Sequence, residues 1–344
     1  MPLRIGLAYN EKPEAEAEPP GSPRPIGDEY AEWDDASTIA AVDAALSAAG
    51  QVIRLEADES FPERVRDTRP DIVFNIAEGL HGPSREAHVP AICEFFGIPY
   101  TGSDPLALCL SLDKRRAKDV WAAAGVATPA GVVVTRHEDR NQALGVPVPA
   151  MVKPLFEGSS KGIPQAALCE SPDDVLARVD AVLEEYRQPA LVEAFLPGRE
   201  FTVAVLGNGE DARALPLVEI RFDALPAGSK PIYGYEAKWV WDTPERPLQI
   251  FRCPADVAPE LEELIGATAV RAFRALGCRD WGRVDLRLDT AGRPHVLEIN
   301  PLPGVLPDPE QNSCFPKAAR AAGMDYDAMI LAVLHAGLER CGIR

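Results

Sequence analysis

The sequence predicts an α/β protein with an N-terminal parallel sheet, followed by lobes of mixed helix and strand. Short apolar segments alternate with segments of helical periodicity, an arrangement typical of a parallel sheet. Glycine, proline and serine lie at the ends of these segments rather than in one long linker, so the units should pack closely. The chain has 344 residues, 46% of them hydrophobic, which is enough to bury two or three compact cores.

The first 103 residues are predicted to form a Rossmann-like domain. An acidic, proline-rich segment, 11–28, follows its first strand and has the composition of an exposed loop or a mobile lid. The turn at Glu78 follows the third strand, and ligands of parallel sheets bind beyond the carboxyl ends of strands. The predicted strands are 1–9, 51–55 and 71–76, and the predicted helices of the first 130 residues are 37–49, 84–96 and 104–124.

Residues 104–190 are predicted to form a central lobe, near whose start lies Lys114. Lys153 lies within an apolar strand, where a lysine needs either an exit to solvent or an anion to meet. In the loop that follows, Ser159 and Ser160 stand between glycines, and such a loop lets backbone N–H groups approach phosphate oxygens. A solvated lysine and an ordinary turn are the alternatives when either feature is taken alone.

The third lobe, 191–344, is predicted to begin with a strand and a hairpin-like reversal. Glu193 and Glu200 flank this reversal. The backbone of Ala194 and Leu196 is a candidate to hydrogen-bond a planar base edge, and Glu200 to hold a ribose diol. A purely structural hairpin explains the pattern equally well.

Two late segments alternate apolar and polar residues and predict a β-ribbon with one buried face. With a two-residue hairpin loop at 291–292, Asp285 falls opposite Glu298. The same register pairs Arg283 with Asn300. Paired carboxylates repel each other unless a cation lies between them, and Mg²⁺ prefers such oxygen ligands. A half-buried hairpin whose polar face meets water is the alternative. The two segments are 281–288 and 295–300.

Four basic residues from separate segments complete a set that suits a triphosphate with Mg²⁺. Arg283 and the backbone N–H of Gly304 are candidates to stabilise charge at the reacting centre. No Ser-His-Asp or Cys-His arrangement is evident in the sequence. The four basic residues are Lys114, Lys153, Lys238 and Arg283.

The composition excludes several classes of function. A net charge of −18 argues against nucleic acid or an anionic membrane as a partner, which leaves small molecules. No apolar run approaches the roughly 20 residues of a membrane span, and the N-terminus lacks the features of a secretory signal. The seven cysteines show no CxxC pair, so we expect reduced thiols in the cytoplasm. The sequence leaves a homodimer open.

Taken in order, the motifs resemble those of the ATP-grasp superfamily and, within it, of the D-alanine–D-alanine ligases. The likeness extends from about residue 71 to the C-terminus, about four-fifths of the chain. As an ordered series the motifs are specific for nucleotide and metal machinery. They lie at 98–103, 113–114, 152–154, 157–160, 192–193, 198–200, 235–238, 282–285 and 298–301.

The resemblance implies an ATP-grasp fold and a role for each matched residue. It assigns Lys114, Lys153 and Lys238 to the phosphates of ATP, Glu193 to adenine, and Glu200 to the ribose. It assigns Asp285, Glu298 and Asn300 to two Mg²⁺ ions, for which Mn²⁺ could substitute. It assigns Arg283 and Gly304 to the acyl phosphate and the tetrahedral intermediate, and Ser313 to the carboxylate of the second substrate. Ser313 lies further beyond Gly304 than the family usually places this serine.

The departures from the family pattern cluster at the first-substrate end. The N-terminal Gly-Gly-x-Ser-x-Glu motif is missing, and the tyrosine expected after the loop lysine is Trp239. Of the Glu-Ser-Tyr triad that orients the first D-alanine, only Ser159 remains. Arg85 interrupts the expected His-Gly-x-x-Gly-Glu-Asp-Gly run. There it could meet an acidic group on a different substrate, or pair with Glu86 or Glu78.

The sequence therefore predicts an ATP-dependent carboxylate–amine ligase. A substrate carboxylate attacks ATP to give an acyl phosphate, and the amine of a second substrate then displaces phosphate to form an amide. Synthesis of D-alanyl-D-alanine is the leading activity, and a ligase joining another amino acid or small carboxylic acid to an amine is the close alternative. A nucleotide-binding regulatory protein without turnover is the alternative of another class.

Overall fold

The computed structural model describes residues 2–13, 30–242 and 247–343. Of the acidic segment predicted as a loop or lid, residues 14–28 lie outside the described part. The described chain forms three sheets with their helices, which confirms the predicted mixture of helix and strand.

The N-terminal sheet has strands β1 (Leu3–Tyr9), β2 (Gly50–Glu56) and β3 (Ile72–Asn75), with helices α1 (Ala36–Ser47), α2 (Phe61–Thr68) and α3 (His88–Phe96). Its strands are parallel in the order β2-β1-β3, as predicted. The helix predicted over 84–96 is shorter, because Arg85–Ala87 forms a 3₁₀ turn and the α-helix begins after it. Pro90 fits the first turn of α3, where a missing N–H costs nothing.

The helix predicted over 104–124 is instead two helices, α4 (Pro105–Leu112) and α5 (Lys114–Ala123). Asp113 breaks it, because its backbone is extended and its carboxylate accepts hydrogen bonds from two N–H groups in the first turn of α5. The break makes Lys114 the first residue of α5, and its side chain is buried.

The central sheet is antiparallel. Its strands are β4 (Gly131–Val134), β5 (Ala150–Pro154), β6 (Leu168–Cys169) and β7 (Ala190–Ala194), and its helix is α6 (Pro172–Glu185). The strand order is β4-β7-β5-β6. A capping box begins α6, in which Ser171 and Asp174 each accept a hydrogen bond from the other's backbone N–H.

The C-terminal sheet is larger and carries the ribbon. Its strands are β8 (Glu200–Leu206), β9 (Arg213–Ala214), β10 (Val218–Ile220), β11 (Phe251–Arg252), β12 (Trp281–Leu288) and β13 (Pro294–Asn300). Its helices are α7 (Pro259–Ala275), α8 (Cys314–Ala321) and α9 (Tyr326–Arg340). The order is β11-β10-β8-β12-β13, with β9 paired to β8.

The hairpin predicted around Glu193 and Glu200 is wrong, because β7 belongs to the central sheet and β8 to the C-terminal sheet. The link between them bonds to the ribbon instead. Gly198 donates its N–H to the carbonyl of Leu288 (3.0 Å), and the Leu288 N–H donates to Arg199 (2.9 Å). A Cβ at Gly198 would lie 2.4 Å from the Leu288 oxygen, so only glycine permits this approach.

The packing also bears on the lobes predicted over 1–103, 104–190 and 191–344. Trp121 of α5 is buried among apolar residues of the C-terminal sheet and donates its Nε1–H to Ala272 of α7 (3.0 Å). We therefore propose that α5 belongs to the C-terminal lobe and that the central lobe extends through β7.

At its polar end the ribbon has the predicted register, but its hairpin loop and its strand pairing differ from the prediction. The hairpin loop has three residues rather than two, because the Asp289 N–H donates to the Arg293 carbonyl (3.0 Å). A β-bulge at Leu297 then supplies one extra residue on β13, so loop and bulge offset each other. The confirmed facing pairs are Asp285 with Glu298 and Arg283 with Asn300.

The C-terminal helix ties the ribbon to the N-terminal domain. Asp280, just before β12, is fully buried and accepts hydrogen bonds from Gly102 (2.7 Å), Asn208 (2.8 Å) and Arg340 of α9 (2.8 Å). None of the helices in the described ranges has the length and hydropathy to cross a bilayer. All seven cysteines are free.

Candidate active site

Most of the predicted site residues line one cleft between the central and C-terminal sheets, which we call the main cleft. A smaller side cavity adjoins it beneath the N-terminal domain. The main cleft is lined by Lys153, Ser159, Ser160, Glu193, Ala194, Leu196, Glu200, Lys238, Arg283, Asp285 and Glu298. The side cavity is lined by Glu78, Lys114 and Asn300, and shares Ser159, Arg283 and Glu298 with the main cleft. Arg85, Gly304 and Ser313 line neither.

Glu193 lines the main cleft and lies between two lysines. Its carboxylate is 2.9 Å from Lys153 Nζ and 2.5 Å from Lys118 Nζ. Burial alone would raise the pKa of Glu193, but the two ammonium groups outweigh burial and lower this pKa to about 2. Glu193 is therefore a fixed anion, and the pair of lysines holds it in place.

Lys118 was missed in the sequence. It is buried on α5 and also donates to the carbonyl of Leu297 at the bulge (3.2 Å). Its spacing of four residues from Lys114 puts both on one helix face, and that signal could have indicated it. Burial lowers the pKa of Lys118 despite the attraction of Glu193.

The backbone N–H groups that follow Glu193 differ in whether they are free to donate a hydrogen bond to the edge of a base. The Ala194 N–H already donates to Ala130 (2.9 Å), and the Phe195 N–H to Pro149 (3.0 Å). Within the described part of the chain, the Leu196 N–H has no acceptor. Leu196 is therefore the better of the two predicted positions for a donor.

Glu200 also lines the main cleft, next to a second residue that the sequence did not indicate. Arg287 NH1 lies 2.7 Å from its carboxylate, and Phe195 and Phe222 stack against the guanidinium at 4.4 and 4.9 Å. Burial raises the pKa of Glu200 even though Arg287 opposes it. A hydrogen-bonding carboxylate beside aromatic rings suits a ribose diol.

Arg283 and Asp285 form an ion pair on the polar face of the ribbon. Arg283 donates to Asp285 from Nε (3.1 Å) and from NH2 (2.9 Å). Burial would lower the pKa of Arg283, but Asp285 outweighs it and the pKa is raised. Across the ribbon, Lys114 lies 3.7 Å from Glu298. Burial would raise the pKa of Glu298, whereas Lys114, Lys153 and Arg283 together lower it.

The donor set on the ribbon fits a hard divalent cation. Asp285 and Glu298 face each other, and the Asn300 side-chain oxygen accepts from Leu302 N–H (2.9 Å), which fixes its direction. No group of three His, Cys, Asp or Glu in the described ranges is arranged to hold a metal. Two carboxylates and an amide therefore suit an ion that completes its coordination with phosphate and water, as Mg²⁺ does.

The loop after β5 has a strained backbone. Ser159 and Ser160 adopt positive φ angles of 51° and 61°, a conformation that non-glycine residues rarely hold and that costs about 1 kcal/mol or more each. Trp239 donates from Nε1 to the Ser159 carbonyl (3.1 Å), and Ser160 Oγ donates to Tyr233 (3.0 Å). The tryptophan that replaces the expected tyrosine therefore supports this loop.

Lys238 is a cation without a carboxylate partner. No carboxylate of a described residue lies within 4.0 Å of its ammonium group, which instead lies 5.0 Å from the Trp239 ring. Burial lowers the pKa of Lys238 to about 8, and Arg283 adds to the effect. An anionic ligand in the main cleft would raise this pKa again.

Arg85 forms no ion pair with Glu86 or Glu78, the two carboxylates predicted as its partners, and pairs with Glu32 and Glu157 instead. Its NH2 donates to both carboxylate oxygens of Glu32 (3.0 and 2.9 Å) and lies 3.7 Å from Glu157, and its NH1 donates to the Phe156 carbonyl (3.0 Å). Arg85 is therefore held in an internal ion-pair network. It makes no ion pair with Glu78, which does line the side cavity.

Gly304 and Ser313 contact each other outside the main cleft. Ser313 Oγ donates to the Gly304 carbonyl (2.9 Å), so the extra sequence between them folds back. The Gly304 N–H has no acceptor in the described part of the chain. Gly304 thus has a free donor, whereas Ser313 is buried.

Comparison with known proteins gives consistent similarities. Residues 120–335 match the family model of the D-ala D-ala ligase C-terminus. D-alanine–D-alanine ligase of Bordetella pertussis is 40% identical over 268 residues, covering 76% of this chain and 77% of its own length. The uncharacterized protein y4sG of Sinorhizobium fredii is 38% identical over 269 residues, 78% of this chain and 75% of its own.

Two solved structures share the fold. D-alanine–D-alanine ligase from Bacillus anthracis complexed with ATP superposes with a TM-score of 0.72 at 22% identity, covering 98% of both chains. VanG D-Ala:D-Ser ligase from Enterococcus faecalis gives a TM-score of 0.70 at 21% identity, covering 98% of this chain and 100% of its own.

Proposed function

The chain belongs to the D-alanine–D-alanine ligase family, and on that basis we propose that it joins the carboxylate of one amino acid to the amine of another at the expense of ATP. One observation carries the proposal. Arg283, Asp285 and Glu298 share one face of the ribbon, and Lys114 and Lys153 converge on it from two other elements. A protein that only bound nucleotide would not need a guanidinium at this position.

The nucleotide would bind along the main cleft. Glu193 and the free N–H of Leu196 suit the adenine edge, and Glu200 suits the ribose. Lys153 and Lys238 would meet the phosphates, together with the loop that holds Ser159 and Ser160. ATP supplies the phosphoryl group that activates the substrate carboxylate.

Asp285, Glu298 and Asn300 are the residues that would hold Mg²⁺, and we propose two ions, with Mn²⁺ accepted in their place. The bound ions would neutralise phosphate charge. Asp285 pairs with Arg283, and Glu298 pairs with Lys114. Before the metal ions bind, these two ion pairs reduce the electrostatic repulsion between the two carboxylates.

In the proposed reaction, a carboxylate oxygen of the first substrate bonds to the γ-phosphorus of ATP while the bond to the β-phosphate oxygen breaks. ADP and an acyl phosphate result. The amine of the second substrate then bonds to the acyl carbon, phosphate leaves, and the amine loses a proton. Arg283 and the Gly304 N–H would stabilise the oxyanion that develops between these steps. Closure of the lobes would exclude water, which would otherwise hydrolyse the acyl phosphate.

D-alanine is the leading candidate for both substrates, because the Bordetella pertussis relative carries that name. Ser313 would reach the second substrate's carboxylate only if it left the Gly304 carbonyl. Another amino acid or a small carboxylic acid as first substrate is the close alternative, since the departures from the family pattern cluster around that end.

A phosphate-release screen tests the proposal. ATP and Mg²⁺ are supplied with D- and L-amino acids, singly and in pairs, and products are identified by mass spectrometry. We expect phosphate release that depends on amino acid and an equal amount of amide. Nucleotide binding with no amino-acid-dependent release would favour the regulatory protein without turnover.

A further inference from the structure

The side cavity carries more acidic groups than the proposed reaction uses. It lies between the N-terminal domain, the start of α5 and the strained serine loop. Ser159, Arg283 and Glu298 line it and the main cleft as well, so the two spaces meet at the proposed reacting centre. Three glutamates of the N-terminal domain face it, namely Glu32, Glu78 and Glu86.

Each cation around the side cavity already has a carboxylate partner. Arg85 and Lys161 both bind Glu32, at 2.9 and 3.0 Å, and both also approach Glu157, at 3.7 and 2.7 Å. Two cations therefore serve two carboxylates in this group. Lys114 approaches Glu298, and Arg283 binds Asp285.

Glu78 and Glu86 are left over. Their exposed fractions are 8% and 7%, and neither side chain makes a hydrogen bond or an ion pair to any described residue. A buried carboxylate without a partner is costly, so it must either bind a proton or meet a cation. Burial, with the neighbouring glutamates, raises the pKa of Glu78 well above its usual value, and burial raises the pKa of Glu86 to about 7.

We propose that the side cavity binds a second cationic group on the first substrate, so that the activated molecule is a diamino acid or another carboxylic acid with an additional ammonium or guanidinium. The α-ammonium group of an ordinary amino acid would neutralise the negative charge of only one of the two carboxylates, Glu78 or Glu86. A second cationic group on the same substrate would neutralise the charge of the other carboxylate. The substrate would direct its carboxylate to Arg283 and its side-chain cation to the two glutamates.

An organic cation suits this cavity better than a metal ion. The carboxylates belong to separate elements, Glu78 to the turn after β3 and Glu86 to the 3₁₀ turn before α3. An extended molecule with two charges can satisfy groups that are spread in this way.

The inference rests on the proposed function, and it is tested with matched pairs of substrates. 2,4-Diaminobutyrate and norvaline have nearly the same shape and differ in one charge, as do ornithine and norleucine. Both enantiomers of each are supplied as first substrate to the wild-type chain with ATP and Mg²⁺. We expect kcat/KM for the charged member to exceed that for the neutral member by at least about tenfold, the size of a charged hydrogen bond.

Substitution then locates the effect. Glu78→Gln and Glu86→Gln should each remove most of the preference by raising KM for the charged member. Glu63→Gln, the same change on the exposed face of α2, is the matched control and should leave the preference intact. Thermal unfolding and binding of a non-hydrolysable ATP analogue verify that each variant is folded, and the wild-type comparison stands even if one variant is not.

Two outcomes separate this inference from the proposed function. If neutral and charged members are used equally well, the inference is overturned and the ligase stands, with Glu78 and Glu86 sharing a proton. If no amino acid supports turnover, calorimetric titration of 2,4-diaminobutyrate against norvaline, with the ATP analogue present, decides. Selective binding of the diamine then supports the side cavity while the ligase proposal fails, and equal or no binding overturns both.

Discussion

Lys118 lies 2.5 Å from the carboxylate of Glu193 and joins two lobes of the molecule through it. Glu193 belongs to the central sheet, whereas Lys118 packs with the C-terminal sheet and donates to the bulge carbonyl of Leu297. The contact with Glu193 is an ion pair rather than a well-directed hydrogen bond, because the Glu193 oxygen lacks good hydrogen-bond geometry. Because Lys118 contacts both Glu193 and the ribbon, the position of Glu193, the residue proposed to bind adenine, depends on the ribbon.

Replacing Lys118 should weaken both folding and nucleotide binding. Lys118→Met leaves Glu193 with Lys153 as its remaining partner, and losing one buried interaction with a charged group costs about 1.5–3 kcal/mol. We expect that loss in urea unfolding and a rise of about tenfold or more in KM for ATP. Arg115→Met is the control on the same helix, since its pair with Asp119 is exposed and should cost about 1 kcal/mol or less. Equal effects of the two changes would contradict the role of Lys118.

Glu298 should be needed for turnover, whereas the chain should still fold without its charge. Glu298→Gln keeps the shape of the side chain and removes the charge that would hold Mg²⁺. We expect kcat to fall about 100-fold or more, with a higher Mg²⁺ requirement. The protein should still fold, with a lower unfolding midpoint, because Lys114 loses its carboxylate partner. Glu263→Gln on the exposed face of α7 makes the same chemical change and should remain active. A fully active Glu298→Gln would remove this residue from the metal site.

The ribbon shows how far the sequence alone could specify the site. Alternation of apolar and polar residues predicted which side chains share a face, and Asp285 does lie opposite Glu298. The loop length was wrong by one residue, and the bulge at Leu297 corrected it. Bulges depend on tertiary partners, here Lys118 on a distant helix, and no local pattern specifies them.

The sequence could not predict the contacts between segments that are far apart in the chain. Glu32 accepts from the Gly158 N–H at 3.0 Å and binds Arg85, although 126 residues separate it from Gly158. The hairpin predicted around Glu193 and Glu200 was wrong for the same reason. Strand patterns predict that two strands exist but not whether they belong to one sheet.

The buried cluster around Asp280 should dominate the stability of the interface between the first and last lobes. Asp280→Ala removes the acceptor of the Gly102 N–H and the carboxylate partner of Arg340, and breaking a buried charge pair costs about 3–5 kcal/mol. We expect a matching fall in the free energy of unfolding, measured with urea. Asp256→Ala removes an exposed partner of Arg252 and should cost about 1 kcal/mol or less. A change in Asp280→Ala as small as in this control would contradict the assignment.

Nucleotide affinity should fall above pH 8 because of Lys238. Its pKa is lowered to about 8, so the free protein carries this charge below that pH and loses it above. The dissociation constant of a non-hydrolysable ATP analogue should therefore be flat below pH 8 and rise by up to about tenfold per pH unit beyond it. Binding of the analogue avoids the ionisation of the substrate amines. Lys238→Arg keeps a charge that does not titrate and should stay flat to pH 10, whereas Lys238→Met should bind weakly at every pH. If the wild-type protein and Lys238→Arg gave parallel profiles, a group other than residue 238 would be titrating. The reason is that lysine at this position can lose its proton in this pH range, whereas arginine cannot.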